Sequence, residues 1–226
     1  MTQTSTGMQA IHILIIDDHQ LLLNGTVEIV KDLYPNGIIR TAQTAQAALE
    51  QALEQATEQP LDLAIVDLSL PESLGSSAQV ETGLNLLQTL MKQFPDLNLM
   101  VQSSNINALI RLMFDIDDHQ GGFTILDKGL PVETFSTRLE WARQGLTYTK
   151  GLQTDLEIKP EWLEVLRLAF EEGLQDKGIA QSMYKSERMI RHYWTKLQNV
   201  LEVYPEPGKS MRTLVQIRAR EKGLLD

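Results

Sequence analysis

The chain has 226 residues, 42% hydrophobic and 22% charged, with a net charge of −10 at pH 7 and no cysteine. That length suits one large domain or two small ones with enough apolar material for a core, and the missing cysteines exclude disulfides and thiolate-held zinc. No apolar run approaches the ~20 residues that span a bilayer, and Met1–Ala10 lacks the basic stretch and apolar core of a signal peptide, so a cytoplasmic protein is expected.

Residues 1–150 alternate short apolar runs with amphipathic stretches. The runs are Ile11–Ile16, Gly37–Ala42, Asp62–Val66, Leu97–Val101 and Phe123–Leu126. Helical spacing fills 18–34, 44–58, 80–94, 105–117 and 131–145 between and after them. Strands alternating with helices of this length imply βαβ crossovers, hence a doubly wound α/β domain around a five-stranded parallel sheet, placed at residues 10–146. The Gln- and Ala-rich stretch 43–59 keeps helical spacing and reads as a surface helix. The periodicity lapses over 147–158, read as a linker.

From 159 to 226 the pattern is helical throughout. Pro160 stands where a helix can begin, Leu163, Leu166, Ala169 and Phe170 follow at helical spacing, and Gly173 is a C-cap candidate. Asp176 is read as the cap of a short helix through about Met183, and Ser186 as the cap of a longer one through Leu201. Glu206-Pro207-Gly208 breaks the chain, and Ser210 starts a last helix of about fourteen residues. Charge divides at the same place. Residues 1–150 hold 8 Lys+Arg against 18 Asp+Glu, while 151–226 hold 12 against 12, which points to two units with different tasks.

In parallel α/β sheets functional groups collect at the carboxyl ends of the strands. Ile13-Leu14-Ile15-Ile16 runs into Asp17-Asp18, Leu63-Ala64-Ile65-Val66 into Asp67, Leu99-Met100-Val101-Gln102 into Ser103-Ser104, and the fifth strand ends at Asp127-Lys128. Carboxylates this close repel one another unless a cation compensates. Mg²⁺ suits the set, because it prefers a few carboxylates together with water and phosphate oxygens. Such a site fits phosphoryl transfer onto a carboxylate, with the metal and Lys128 neutralising the transferring group and a Ser hydroxyl bonding its oxygens. A lone Asp at a strand end is usually a turn residue or helix cap; the ordered set of four strand ends is what carries the reading. His19 and His119 lack a second ligand at metal spacing and are read as surface residues.

The segments ILIIDDH and LAIVDLSLP, the strand ending in Ser-Ser and the later lysine resemble the receiver domains of two-component response regulators over nearly all of residues 10–146. The resemblance implies that Asp67 accepts the phosphoryl group, that Asp17, Asp18 and Asp67 hold Mg²⁺, that Ser103 is the switch hydroxyl and that Lys128 grips the phosphoryl group. Two features depart from the pattern. Between Pro71 and the third helix, ESLGSSAQVETG is longer than usual by about eight polar residues, either Gly75 or Gly83 being the expected glycine. Receivers also carry an aromatic residue three before the lysine; here that position is Ile125, with Phe123 two residues earlier.

The stretch VLRLAFEEGLQDKGIAQSMYKSERMIRHYWTKLQNVLEV resembles the helix-turn-helix DNA-binding domains of the NarL/LuxR type, within residues 159–226. Ile190, Trp194 (or Tyr193) and Leu197 form an inner stripe, leaving Arg188, Arg191, His192 and Lys196 outward with Lys185 just before the helix. A helix in the major groove of double-stranded DNA needs such donors, and Ser186 with the helix N-terminus suits a phosphate. Here too there are departures: Lys159-Pro160-Glu161 replaces the usual Thr-Pro-Arg, Val200 stands where lysine is common, and the domain is neutral where DNA-binding domains are usually basic.

The expected function is therefore that of a response regulator in a phosphorelay. A histidine kinase would phosphorylate Asp67, and the change would control dimerisation and DNA binding by the C-terminal domain. No enzymatic turnover beyond slow self-dephosphorylation is expected. A second reading is a phospho-dependent or degenerate receiver acting as a protein-interaction adaptor without DNA binding. An aspartyl-phosphate hydrolase would need a second Asp two residues after its nucleophile, which Asp67-Leu68-Ser69 and Asp18-His19-Gln20 lack.

Overall fold

The computed structural model describes residues 10–55, 60–150, 152 and 158–225. It divides into two compact units, one of residues 1–106 and 115–149 and the other of residues 107–114 and 150–226.

The first unit is built on a parallel sheet. Its strands β1 (His12–Ile16), β2 (Ile38–Ala42), β3 (Leu63–Val66), β4 (Asn98–Ser103), β5 (Phe123–Asp127) and β6 (Thr147–Tyr148) lie in the order β2-β1-β3-β4-β5-β6. The helices are α1 (Gln20–Leu33), α2 (Ala45–Gln55), α3 (Val80–Gln93), α4 (Met113–Asp118) and α5 (Val132–Arg143). Successive residues of a strand face opposite sides. On one side Ile13, Ile15, Leu63 and Ile65 join Leu23 and Val30 of α1 and Phe135 and Leu139 of α5 in a single apolar cluster. Leu14, Ile16, Ala64 and Val66 are buried as well. Strands covered on both faces read as unbroken apolar runs, which is why the four central ones, β1, β3, β4 and β5, stand out in the sequence.

Two expectations need correction here. The sheet has a sixth strand, β6, where a linker is expected: Thr147 pairs with Phe123 and Tyr148 with Thr124. The helix expected at 105–117 is a 3₁₀ helix (Ile106–Leu112) followed by the short α4. Residues 56–58, expected to continue α2, lie outside the described residues.

In the second unit α6 (Pro160–Phe170), α7 (Asp176–Ser182), α8 (Glu187–Val200) and α9 (Met211–Glu221) enclose a core that includes Trp162, Val165, Ile179, Ile190, Trp194 and Val215. Ile110, from the 107–114 segment of this unit, belongs to the same cluster. The N-caps of α8 and α9 are as expected, since Ser186 accepts from the Met189 N–H and Ser210 from the Thr213 N–H. Asp176, expected as a cap, is instead the first residue of α7, whose N-cap is Gln175. The last helix is eleven residues long, shorter than expected. Among the described residues no helix is long and apolar enough to cross a membrane.

α7 and α8 are joined by a tight turn. The Lys185 N–H donates to Ala180 O (2.9 Å) and the Tyr184 N–H to Gln181 O (3.2 Å), closing a Schellman motif with Tyr184 in the left-handed region at φ 53°. Glycine holds the equivalent place after α5 (Gly145, φ 76°) and after α9 (Gly223, φ 75°). Glu202, after α8, also has a positive φ of 53°.

Candidate functional site

Ladder bonds carry the acidic groups to the rim of the sheet. The Asp17 N–H donates to Ala42 O (3.2 Å) and the Asp67 N–H to Ile16 O (2.9 Å), so each Asp is held at a strand end by its own backbone. Both are buried, at 5% and 4% exposure. Lys128 follows β5 in a turn fixed by Asp127, whose Oδ1 accepts from the Gly129 N–H (2.8 Å) and whose carbonyl accepts from the Leu130 N–H (3.0 Å). From there the Lys128 ammonium donates to Asp17 Oδ2 and to Asp67 Oδ2, each at 2.8 Å. Three of the expected groups are thus in direct contact. Burial pulls the Lys128 pKa down, but the hydrogen bonds and charges of Asp17 and Asp67 more than offset it and leave the ammonium held above its ordinary value.

Asp18 stands beside this pair. One ligand atom from each of Asp17, Asp18, His19 and Asp67 falls within a group spanning 4.8 Å. Asp18 Oδ1 is buried and makes no hydrogen bond, although His19 Nδ1 lies 2.7 Å away. Three hard oxygen donors close together, one of them buried without a donor, fit Mg²⁺. His19, expected as a plain surface residue, remains exposed yet belongs to this cluster, because the turn into α1 brings its ring back over Asp18; its backbone N–H donates to Asp17 Oδ1 (2.8 Å). His119 is also not a free surface residue. Its Nε2 pairs with Leu97 O (2.7 Å), and burial holds its pKa below the ordinary value despite that bond and nearby Asp96.

Ser103 ends β4 opposite Asp127 and is 1% exposed; its Oγ accepts from the Asn105 N–H (3.2 Å). Ile125 is buried in β5 and Phe123 is buried at the strand's start, so no aromatic side chain occupies the position three before Lys128. Between the two candidate glycines the structure distinguishes clearly. A Cβ on Gly83, in the first turn of α3, would lie 2.1 Å from Leu68 O, whereas Gly75 faces open space in the long loop. Gly83 therefore lets α3 press against the backbone just past Asp67. The loop itself is tied to the start of α2, with Pro71 O and Glu72 O accepting from the Ala45 and Gln46 N–H groups (both 3.0 Å).

In the second unit the inner stripe of α8 is Ile190, Trp194 and Leu197, all buried, while Tyr193 is half-buried. Lys185, Ser186, Arg188, Arg191, His192 and Lys196 are all exposed on or just ahead of α8. The Ser186 hydroxyl is engaged as the helix cap, and Arg191 lies 3.7 Å from Glu187. Asp176 supplies a tie that sequence reasoning missed. Its Oδ1 accepts from Trp194 Nε1 (3.0 Å) and pairs with Arg212, which also stacks on the Trp194 ring (4.2 Å), joining α7, α8 and α9.

Comparison with known proteins finds a family for the first unit and a likeness of fold across both units. Residues 13–140 match the family described as the response regulator receiver domain. The chain is similar to the transcriptional regulatory protein LnrK of Bacillus subtilis, 25% identical over 212 residues, 85% of this chain and 91% of LnrK. It is also similar to the transcriptional regulatory protein RcsB of Escherichia coli K12, 25% identical over 198 residues, 81% of this chain and 84% of RcsB. Among solved structures it resembles RcsB from Salmonella enterica serovar Typhimurium bound to promoter rprA in the presence of the phosphomimetic BeF3⁻. The TM-score there is 0.54, with 20% identity over 92% of this chain and 98% of that one.

Proposed function

We propose, for a chain that belongs to the response regulator receiver family, that phosphorylation of Asp67 controls DNA binding by the C-terminal helices and so transcription. The observation that carries this reading is Lys128 bridging Asp17 and Asp67 at 2.8 Å beside a cluster of oxygen donors at one sheet rim. In this reading a carboxylate oxygen of Asp67 bonds to phosphorus as the P–N bond of a phosphohistidine on a histidine kinase breaks. Asp17, Asp18 and Asp67 would hold Mg²⁺, which neutralises phosphoryl charge when bound. Lys128 then pairs with the phosphoryl oxygens, and the Ser103 hydroxyl donates to one of them, biasing the protein toward its active state. Any turnover is limited to slow loss of the phosphoryl group to water.

LnrK and RcsB are named as transcriptional regulators, and RcsB is seen on a promoter with a phosphomimetic, which supports carrying both properties to this chain. The exposed cations of α8 would take the major groove, with Lys185, Arg188, Arg191, His192 and Lys196 donating and the α8 N-terminus at Ser186 facing a phosphate. Two protomers joined on activation would read paired half-sites. The neutral charge of residues 151–226 and the Glu187–Arg191 pair favour one alternative, an adaptor that binds protein instead of DNA.

The deciding experiment is intact mass after incubation with acetyl phosphate, with and without Mg²⁺. A phosphoryl adduct that needs Mg²⁺ and is lost in Asp67→Asn is expected. No adduct in any condition rejects the phosphorylation reading, and salt-dependent binding to duplex DNA rejects the adaptor.

A further inference from the structure

The turn between α7 and α8 contains a costly residue whose role the packing does not supply. Tyr184 sits in the left-handed region, φ 53°, at a position that glycine fills after α5 and α9. A bulky side chain there is strained relative to glycine, because its Cβ crowds the neighbouring carbonyl oxygen. Burial does not offset this, since Tyr184 is 95% exposed, the most exposed aromatic of the described residues. The phenol projects from the turn that leads into α8, with exposed Lys185 and Ser186 immediately after it and exposed Arg188 in the first turn of the helix. Residues held in the left-handed region cluster at ligand-contact and switch sites, and unlike Glu202, the other such residue, Tyr184 adjoins the exposed cations at the start of α8.

We propose that Tyr184 is a DNA-backbone contact, its hydroxyl donating to a phosphate oxygen of double-stranded DNA; the proposal rests on the DNA-binding reading of α8. Tyrosine is among the side chains that bond phosphate. With only two side-chain torsions it loses little freedom on docking. The left-handed backbone holds the ring out from the turn, where a helical or extended residue would send it elsewhere. Tyrosine is neutral, so the contact adds affinity without releasing a counterion. That separates it from its neighbour Lys185, whose contact with a phosphate would add about one to the salt slope.

The test is fluorescence anisotropy of the full chain on a labelled duplex of arbitrary sequence, with and without acetyl phosphate and Mg²⁺, over a salt series. Wild type, Tyr184→Phe, Tyr184→Gly and Lys185→Ala are compared. Tyr184→Phe and Tyr184→Gly are each expected to bind about tenfold more weakly with the salt slope unchanged, while Lys185→Ala lowers the slope. Tyr184→Gly is further expected to unfold about 2–4 °C higher than wild type, which removes misfolding as an explanation of its weaker binding. If either tyrosine variant binds as tightly as wild type, Tyr184 is no DNA contact and the proposal is overturned. If wild type binds no duplex in any condition, the DNA-binding reading itself falls.

Discussion

At the scale of single residues the site is an exercise in charge compensation. Asp17 and Asp67 are nearly excluded from water, and the side chain of Lys128 is 15% exposed, so their mutual attraction is poorly screened. Removing one member of a buried set leaves the others uncompensated, which costs about 3–5 kcal/mol. Lys128→Met is therefore expected to destabilise the first unit by about 3 kcal/mol in urea unfolding without Mg²⁺. Asp67→Asn in the same background should restore part of that loss, since it removes one of the two stranded carboxylates. Equal losses in the single and double variants would show that the three groups are not coupled. These residues are visible in the sequence because each ends an apolar run or follows one. His19 is not, because its place beside Asp18 depends on how the chain turns into α1.

At the scale of elements, α1 and α5 are clamped by one network. The Tyr34 hydroxyl donates to Glu140 Oε2 (2.9 Å), and Arg143 donates to both Glu140 oxygens (2.9 and 2.6 Å). The Arg143 guanidinium holds the Glu140 carboxyl down at about 2, against some opposition from burial, with Gln144 and Tyr34 assisting. Burial first, and then the bond to Glu140, push the Tyr34 phenol up to about 12. Because the folded carboxyl ionises below its ordinary value of 4.5, its stabilisation is complete above about pH 4.5 and disappears as pH falls toward 2. Glu140→Gln should thus lower the melting temperature at pH 7, the gap to wild type closing in acid. The Glu140 side chain is 40% exposed, so the loss at pH 7 is held to about 1 kcal/mol or less. A gap that stays constant down to pH 3 would remove the carboxylate's charge from the account.

The same scale shows what sequence reasoning can and cannot reach. Central strands such as Leu63–Val66 are uninterrupted apolar runs, and Ser186 and Ser210 cap their helices by local bonds, so both kinds of feature are legible. Thr147–Tyr148 has no pattern of its own and becomes a strand only because β5 offers a free ladder. Asp176 looks like a helix cap, yet its partners Trp194 and Arg212 lie 18 and 36 residues away. Nothing local in the chain announces them.

At the scale of the whole molecule the division of charge governs encounters. The excess of acid lies in residues 1–150, while α8 exposes its cations in a neutral segment. If Lys185, Arg188, Arg191 and Lys196 each neutralise one phosphate, the logarithm of the DNA affinity should fall with the logarithm of salt at a slope of about −3 to −4 per protomer. A slope near zero in titrations of the phosphorylated protein would mean that those cations do not meet DNA.

The sheet also has two margins of unequal character. On one side it closes with β6, only two residues long, too short for a foreign strand to pair against. On the other it ends in β2, five residues with Ile38, Arg40 and Thr41 exposed. Among the described residues, growth of the sheet from chain to chain has one margin of useful length, and Arg40 places a charge there. In concentrated or crowded solution, β2 is the described edge at which strand addition would begin, and replacing Arg40 with an apolar β-former would take away its guard.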